Sequence, residues 1–137
     1  MRFVVVDTNC LLRMIPIRSE YRPAWEAFLD EKYIICVSND IVSEYLEILS
    51  QKVNSEFASN IVGAILKSNN ARMFDPKFHF NLITIDPDDN KFVDCAIIAN
   101  ADYIVSEDSH FKVLESIPFP KVNVINLDKF MEDIYDS

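Results

Sequence analysis

Four acidic residues of this 137-residue chain stand beside strongly apolar stretches. They are Asp7, Glu44, Asp94 and Asp108. Asp7 directly follows the apolar run at residues 3–6, and Asp108 comes three residues after Val105, while Glu44 and Asp94 border the apolar stripes of predicted helices. A carboxylate at the edge of a core is costly to desolvate unless it has a partner, and few basic residues lie nearby in sequence. Mg²⁺ and Mn²⁺ prefer such oxygen ligands, so the pattern favours a divalent-metal site.

Each of the four acids also has a simpler role open to it. Asp7 and Asp108 could cap the helices that follow them. Glu44 alone could be a solvated helix residue, and Asp94 could pair with Lys91 one turn earlier. Only their joint placement at one edge of a sheet would distinguish a metal site from these roles.

The elements that must position these acids alternate along the chain. Short β-branched apolar runs predict strands at 3–6, 33–37, 103–105 and 122–125. Helical spacing of apolar residues predicts a short helix after Asp7 and helices at 21–31, 40–52, 54–68, 89–100, 110–116 and 127–134. Residues 71–86 follow no clear pattern, and a short strand could lie in either half. The alternation predicts one α/β domain over 1–137, with a central, mostly parallel twisted sheet and helices on both faces.

Ligands of open parallel α/β sheets collect beyond the carboxyl ends of the strands. Asp7 and Asp108 follow predicted strands at that edge, and the helices that carry Glu44 and Asp94 begin there. We therefore expect the four carboxylates to converge at one rim of the sheet.

Composition excludes several other classes of protein. Gly63 is the single glycine of the chain, whereas Walker loops, GxGxxG turns and kinase phosphate loops each need several. The 22 Asp and Glu against 13 Lys and Arg give a net charge of −9, which argues against a broad basic surface for nucleic acid. Bound divalent cations would nevertheless reverse the potential of the acidic site and let it attract phosphate.

The cysteines and the apolar runs of the sequence indicate the cellular compartment. The three cysteines lack the spacing of a zinc site and are expected to be small buried hydrophobes in a reducing compartment. The apolar start ends at Asp7, so no signal peptide is expected, and no apolar run approaches the roughly 20 residues that span a bilayer. We expect a cytoplasmic protein without a membrane partner.

Four segments together resemble the PIN-domain family, and more narrowly the prokaryotic toxin-like PIN proteins related to VapC. They are VVVDTN at 4–9, SEY at 43–45, DDNKFVDCA at 88–96 and ADYIVSED at 101–108. The resemblance runs over almost the whole chain, and the last two segments are its most specific part. It implies a three-layer PIN-like fold, with Mg²⁺ or Mn²⁺ held by Asp7, Glu44, Asp94 and Asp108, which match the family's acidic quartet.

Accessory residues follow from the same resemblance. Thr8, Asn9 and Ser106 match polar positions that help to hold metal-bound water or phosphate. Asp89 is an additional acid, which could assist metal binding or simply favour the N-terminus of the helix at 89–100. No basic patch marks an RNA-binding surface.

The resemblance implies a metal-dependent ribonuclease, the toxin of a toxin–antitoxin pair, in which metal-activated water attacks the phosphodiester and leaves a 5′ phosphate. RNA, an antitoxin and a second copy of the chain are then the expected partners, and the antitoxin could dock on the helices at 40–52 and 54–68. A protein-binding module with little or no catalytic activity stays open. An aspartyl phosphatase is disfavoured because Asn9 stands where its second Asp is needed, and a receiver domain because it lacks the required acidic pair.

Overall fold

Within residues 1–136, the part of the chain that the computed structural model describes, five short strands form a single sheet. They are β1 (Phe3–Val6), β2 (Ile34–Val37), β3 (Ala71–Met73), β4 (Tyr103–Val105) and β5 (Val124–Ile125). Their order is β3-β2-β1-β4-β5, and every neighbouring pair is parallel. The predicted parallel sheet is confirmed, and the unreadable stretch at 71–86 contributes β3 from its first half.

The helices agree with the predicted ones to within a few residues. They are α1 (Thr8–Met14), α2 (Arg22–Leu29), α3 (Asn39–Lys52), α4 (Ser55–Lys67), α5 (Asn90–Ala99) and α6 (Leu127–Asp136). Two short 3₁₀ helices, Pro87–Asp89 and Ser109–Ser116, precede α5 and follow β4. The predicted helix at 110–116 is therefore 3₁₀ in type. The predicted strand at 122–125 shrinks to β5, which pairs only with the last two residues of the three-residue β4.

Helices cover both faces of the sheet. Tyr33 packs its ring against Phe28 of α2 and Phe130 of α6. Cys36, three positions further along, interacts with Cys95 of α5. Because successive side chains of a strand point to opposite faces, α2 and α6 lie on one side and α5 on the other. Burial on both faces explains why β1 and β2 read as continuous apolar runs.

The strand order reverses beside β1, and this sets the position of the site. The chain runs outward from β1 through β2 to β3, and then places β4 and β5 on the other side of β1. Adjacent parallel strands whose connections leave in opposite directions open a crevice at their carboxyl ends. The backbone N–H of Asp7 bonds to the carbonyl of Val105 at 3.1 Å, so the ends of β1 and β4 meet there.

Other expectations concern the core and the membrane. All three cysteines are buried with free thiols, as the sequence predicts, and burial raises the pKa of Cys36 and of Cys95 to about 12. Among the described residues, none of the helices has the length and apolar character that crossing a lipid bilayer requires.

Candidate active site

A cavity at the carboxyl ends of β1 and β4, here called the acidic cleft, is walled largely by carboxylates. They are Asp7, Glu44, Asp86, Asp88, Asp89 and Asp108. Thr8, Asn9 and the single basic residue Lys52 also line it. The cleft lies where a parallel sheet of this order binds ligands, and its donor oxygens are those that hard divalent cations prefer.

Asp7 is buried at the floor of the cleft and uses both carboxylate oxygens. Its Oδ1 accepts from the N–H of Cys10 at 2.9 Å and so caps α1, and its Oδ2 accepts from the hydroxyl of Ser106. Burial raises the pKa of Asp7, the two hydrogen bonds oppose that rise, and the charge of Asp108 adds to it. The capping role that the sequence left open is real, but each oxygen keeps a lone pair for a metal.

Asp108 approaches Asp7 from the end of β4. Its Oδ1 accepts from the N–H of His110 at 2.9 Å, which makes it the cap of the second 3₁₀ helix. Its own N–H donates to the hydroxyl oxygen of Ser106 at 3.0 Å. Ser106, one of the predicted accessory residues, thus binds Asp108 and Asp7 at once and holds the ends of the two central strands together.

Glu44 has a basic partner that the sequence did not indicate. Its Oε1 accepts from Lys91 Nζ at 2.7 Å, and its Oε2 accepts from the Thr8 hydroxyl. Glu44 and Lys91 are 47 positions apart in sequence and meet because α3 and α5 pack together. Lys91 therefore pairs with Glu44 and not with Asp94, the partner considered from the sequence.

Asp94 lies outside the acidic cleft. Its side chain is only 4% exposed, with Oδ1 accepting from the N–H of Phe80 at 3.1 Å and Oδ2 lying 3.3 Å from Nδ1 of His79. It lines a second cavity, together with His79 and Lys91. The structure thus places three of the four acids on the acidic cleft and Asp94 on the neighbouring cavity.

The reason is helical geometry. Asp94 follows Asp89 by five residues, and five residues rotate a side chain by about 140° around a helix axis. Asp89, at the start of α5, therefore faces the cleft, while Asp94 faces the irregular segment at 74–86. Asp89 makes no side-chain capping bond, and its Oδ2 lies instead 3.1 Å from Nδ1 of His110. Burial raises the pKa of Asp89, which the hydrogen bond from His110 opposes.

The sequence did not mark Asp86, Asp88 or His110 as metal ligands. Ligand atoms of Asp86, Asp89 and His110 all lie within 4.8 Å of one another. The run Asp-Pro-Asp-Asp at 86–89 was the available signal, since a proline inside an acidic run starts a tight turn and gathers its carboxylates. His110 carried no signal of its own because its partners are distant in sequence.

The residues present fit a divalent cation. Crowded carboxylates repel one another, which contributes to the raised pKa of Asp7 and of Asp89 through the charge of Asp108. A cation relieves this repulsion by replacing it with attraction. Asp7, Asp89 and Asp108 are candidates to hold it, since all three line the cleft and Asp108 lies close enough to the other two to raise their pKa.

Several solved structures share this fold. A chain of the VapBC2 complex from Rickettsia felis, bound to a DNA fragment from its promoter, aligns with a TM-score of 0.62 at 18% identity, covering 90% of this chain and 98% of that one. The sarcin-ricin loop cleaving toxin VapC20 of Mycobacterium tuberculosis aligns with a TM-score of 0.59 at 14% identity, covering 88% of this chain and 98% of that one. The PIN domain endonuclease Utp24 aligns with a TM-score of 0.54 at 17% identity, covering 90% of this chain and 84% of that one.

Sequence comparison gives the family. No curated protein matches this sequence. The family model of the PIN domain, however, matches residues 3–110, which include β1, the acidic cleft and the second 3₁₀ helix as far as His110. With the parallel sheet and the acids at its switch point, this match shows that the chain belongs to the PIN-domain family.

Proposed function

We propose that this PIN domain is a divalent-metal-dependent endoribonuclease that acts as the toxin of a toxin–antitoxin pair. The observation that carries the proposal is the convergence of Asp7, Asp89 and Asp108 on one cleft between β1 and β4. Membership of the PIN-domain family supports it, as does the likeness in fold to a toxin that cleaves the sarcin-ricin loop and to an endonuclease. The proposed ligand set replaces Asp94 with Asp89.

The protein's own residues would prepare the reaction. Mg²⁺ or Mn²⁺ bound in the cleft supplies an activated water and neutralises charge on the scissile phosphate. Ser106 and Thr8 donate hydroxyl hydrogens that orient the carboxylates of Asp7 and Glu44. Asn9 is exposed on the wall of the cleft, where its amide can contact a phosphate oxygen. No nucleophilic side chain is required.

Substrate binding must overcome the acidity of the cleft. Six carboxylates and Lys52 line its walls, and Lys91 and His110 each contact one of those carboxylates. The cleft keeps an excess of acidic groups, so a phosphate is repelled when no cation is bound. Binding of RNA should therefore follow binding of metal. Lys52 would then contact the backbone beside the scissile phosphate, because it extends from the end of α3 at the same cleft.

An apolar groove supports an antitoxin partner. It is formed by α1, α2, α3 and α4, and its lining residues are Leu12, Ile15, Pro16, Ile17, Arg18, Arg22, Trp25, Leu49, Val53, Phe57 and Ile61. Ile17 and Val53, both more than half exposed, lie within this groove, and contiguous exposed apolar surface often marks a protein interface. We propose that an antitoxin helix with an apolar face and an acidic residue for Arg18 occupies this groove. Similar folds occur in VapBC complexes from Rickettsia felis and Salmonella typhimurium.

A weakly active protein-binding module is the second candidate, and one observation favours it. Lys91 already occupies one oxygen of Glu44, and His110 lies against Asp89. Two basic groups thus stand where a metal would otherwise satisfy the acids. Such internal pairing lowers metal affinity and could leave the fold intact without useful catalysis.

Cleavage of a panel of structured RNAs with Mn²⁺ tests the proposal. Wild type should cut and leave 5′ phosphates, and both excess EDTA and Asp7→Asn should abolish cutting. Glu132→Gln is the control, since this acid of α6 is 69% exposed and outside the cleft. Cleavage that survives EDTA, or that Asp7→Asn leaves unchanged, would contradict the metal-dependent mechanism. Absence of any cleavage by the metal-loaded wild type would favour the binding module.

A further inference from the structure

An imidazole stands among the carboxylates of the acidic cleft. Nδ1 of His110 lies 3.1 Å from Oδ2 of Asp89 and 3.5 Å from Oδ1 of Asp108. One donor atom from each of Asp86, Asp89 and His110 falls within 4.8 Å of the other two. Metal bonds of about 2.0–2.2 Å bring two ligands of one ion to about 3–4 Å apart. The three side chains are therefore already close to the spacing that a shared cation requires.

Two local backbone structures position these three side chains. Asp86 caps the first 3₁₀ helix by accepting from the N–H of Asp88 at 3.2 Å, and this turn leads directly into Asp89. His110 is anchored by its own N–H, which donates to Asp108. The imidazole is two-thirds buried, with 33% of its side chain exposed. A surface histidine free to rotate would not keep one nitrogen directed at two carboxylates.

A nitrogen ligand changes which cations a site prefers. Mg²⁺ and Ca²⁺ take oxygen ligands almost exclusively, whereas imidazole suits first-row transition metals. A cleft of carboxylates alone would bind Mg²⁺ and Mn²⁺ by charge and geometry. The addition of one imidazole shifts the balance toward Mn²⁺, Co²⁺ and Zn²⁺.

We propose that Asp86, Asp89 and His110 form a mixed nitrogen–oxygen subsite of the acidic cleft that selects a first-row transition metal over Mg²⁺. Nδ1 of His110 is the nitrogen ligand, and Asp86 and Asp89 each give a carboxylate oxygen. The catalytic use of this ion rests on the proposed function, but the binding of the ion does not. His110 is then part of the metal centre.

The chain offers its own control for this proposal. It contains two histidines, and the second, His79, is 71% exposed and contacts Asp94 in the other cavity. In this chain without an affinity tag, loaded with Mn²⁺, an imidazole nitrogen coupling in pulsed EPR can therefore come from only two residues. We expect the coupling in wild type and in His79→Gln, and its loss in His110→Gln. Titration should show that His110→Gln weakens Mn²⁺ binding by about tenfold or more, with a much smaller effect on Mg²⁺.

A second variant distinguishes the loss of a metal ligand from the loss of the fold. Asp86→Asn should weaken Mn²⁺ binding while the nitrogen coupling persists, because His110 is unchanged. A coupling that is absent from wild type, or that survives in His110→Gln, would overturn the proposal, as would equal losses of Mn²⁺ and Mg²⁺ affinity. RNA cleavage measured in parallel separates the two claims. RNA cleavage without nitrogen coupling would contradict the proposed metal subsite alone. Nitrogen coupling without RNA cleavage would contradict the proposed nuclease function alone.

Discussion

Ser106, at the end of β4, donates its hydroxyl hydrogen to Oδ2 of Asp7, at the end of β1. This bond crosses the point where the strand order reverses, and it orients the most buried acid of the cleft. It also lowers the pKa of Asp7, which burial would otherwise raise further. Ser106 therefore favours the ionised form of Asp7 and directs its carboxylate at the place where a metal would bind.

Ser106→Ala should slow metal-dependent RNA cleavage by about 10- to 100-fold, as loss of a group that orients a metal ligand commonly does. The loss of a buried hydrogen bond should also destabilise the fold by about 1 kcal/mol in urea unfolding. Ser109→Ala, at an exposed neighbour, is the matched control. Cleavage by Ser106→Ala at the wild-type rate would show that the bond does not position Asp7.

Lys91→Met should strengthen metal binding. The substitution removes the cation that occupies Oε1 of Glu44 and frees that oxygen for a divalent ion. Isothermal titration with Mn²⁺ should give an affinity several-fold above that of wild type. Lys112→Met, which removes an exposed lysine, should change nothing. Weaker binding by Lys91→Met would mean that Lys91 supports the site instead of competing for it.

Asp94→Asn should affect stability much more than metal binding. The carboxylate accepts from the N–H of Phe80 and contacts His79, so it fastens the segment at 74–86 onto α5. We expect an unfolding free energy lower by about 1–3 kcal/mol, typical for a weakened buried charged hydrogen bond. Mn²⁺ affinity should change little, whereas Asp89→Asn should reduce it strongly. Equal losses of Mn²⁺ affinity in the two variants would show that Asp94 contributes to the metal site.

Asp7→Asn should raise the melting temperature of the metal-free protein by a few degrees at neutral pH. Burial raises the pKa of Asp7 above its ordinary value of 3.8, so the ionised form opposes folding. Below pH 3.8 the carboxyl is protonated in both states and costs nothing; the stability of wild type then falls as pH rises through the raised pKa. Asparagine avoids this loss and still caps α1.

Differential scanning fluorimetry in EDTA from pH 4 to 8 measures this difference. The advantage of Asp7→Asn should be absent near pH 4 and grow as the pH rises. Saturating Mn²⁺ should reverse it, since only the ionised wild type gains from the cation. A variant that is less stable than wild type in EDTA at every pH would refute a charge penalty at Asp7.

The central strands β1, β2 and β4 could be predicted because they are buried on both faces. Continuous apolar runs such as residues 3–6 then mark strands directly, and acids that follow them mark the carboxyl edge. Asp7 and Asp108 were found in this way, whereas Ser106 was named only from the family resemblance. The segment at 74–86 could not be predicted, because it is irregular and is held by side-chain bonds to Asp94 and Asn90, which have no sequence signature.

Long-range pairing explains what the sequence missed at the site. The Lys91–Glu44 ion pair joins two helices, and the His110–Asp89 contact joins residues 21 positions apart. Periodicity shows which face of a helix is apolar, but it does not show which polar neighbour another element supplies. Asp94 was predicted as a ligand because it borders apolar residues and matches the acidic quartet that the family resemblance implies, whereas helical rotation turns Asp89 toward the cleft.

Anomalous diffraction from a crystal soaked in Mn²⁺ tests the central claim most directly. We predict an anomalous peak in the acidic cleft at about 2.0–2.3 Å from carboxylate oxygens of Asp7, Asp89 or Asp108. No peak should lie beside Asp94. A crystal with no peak in the cleft at saturating Mn²⁺, or with its strongest peak in the cavity of Asp94 and His79, would contradict the account.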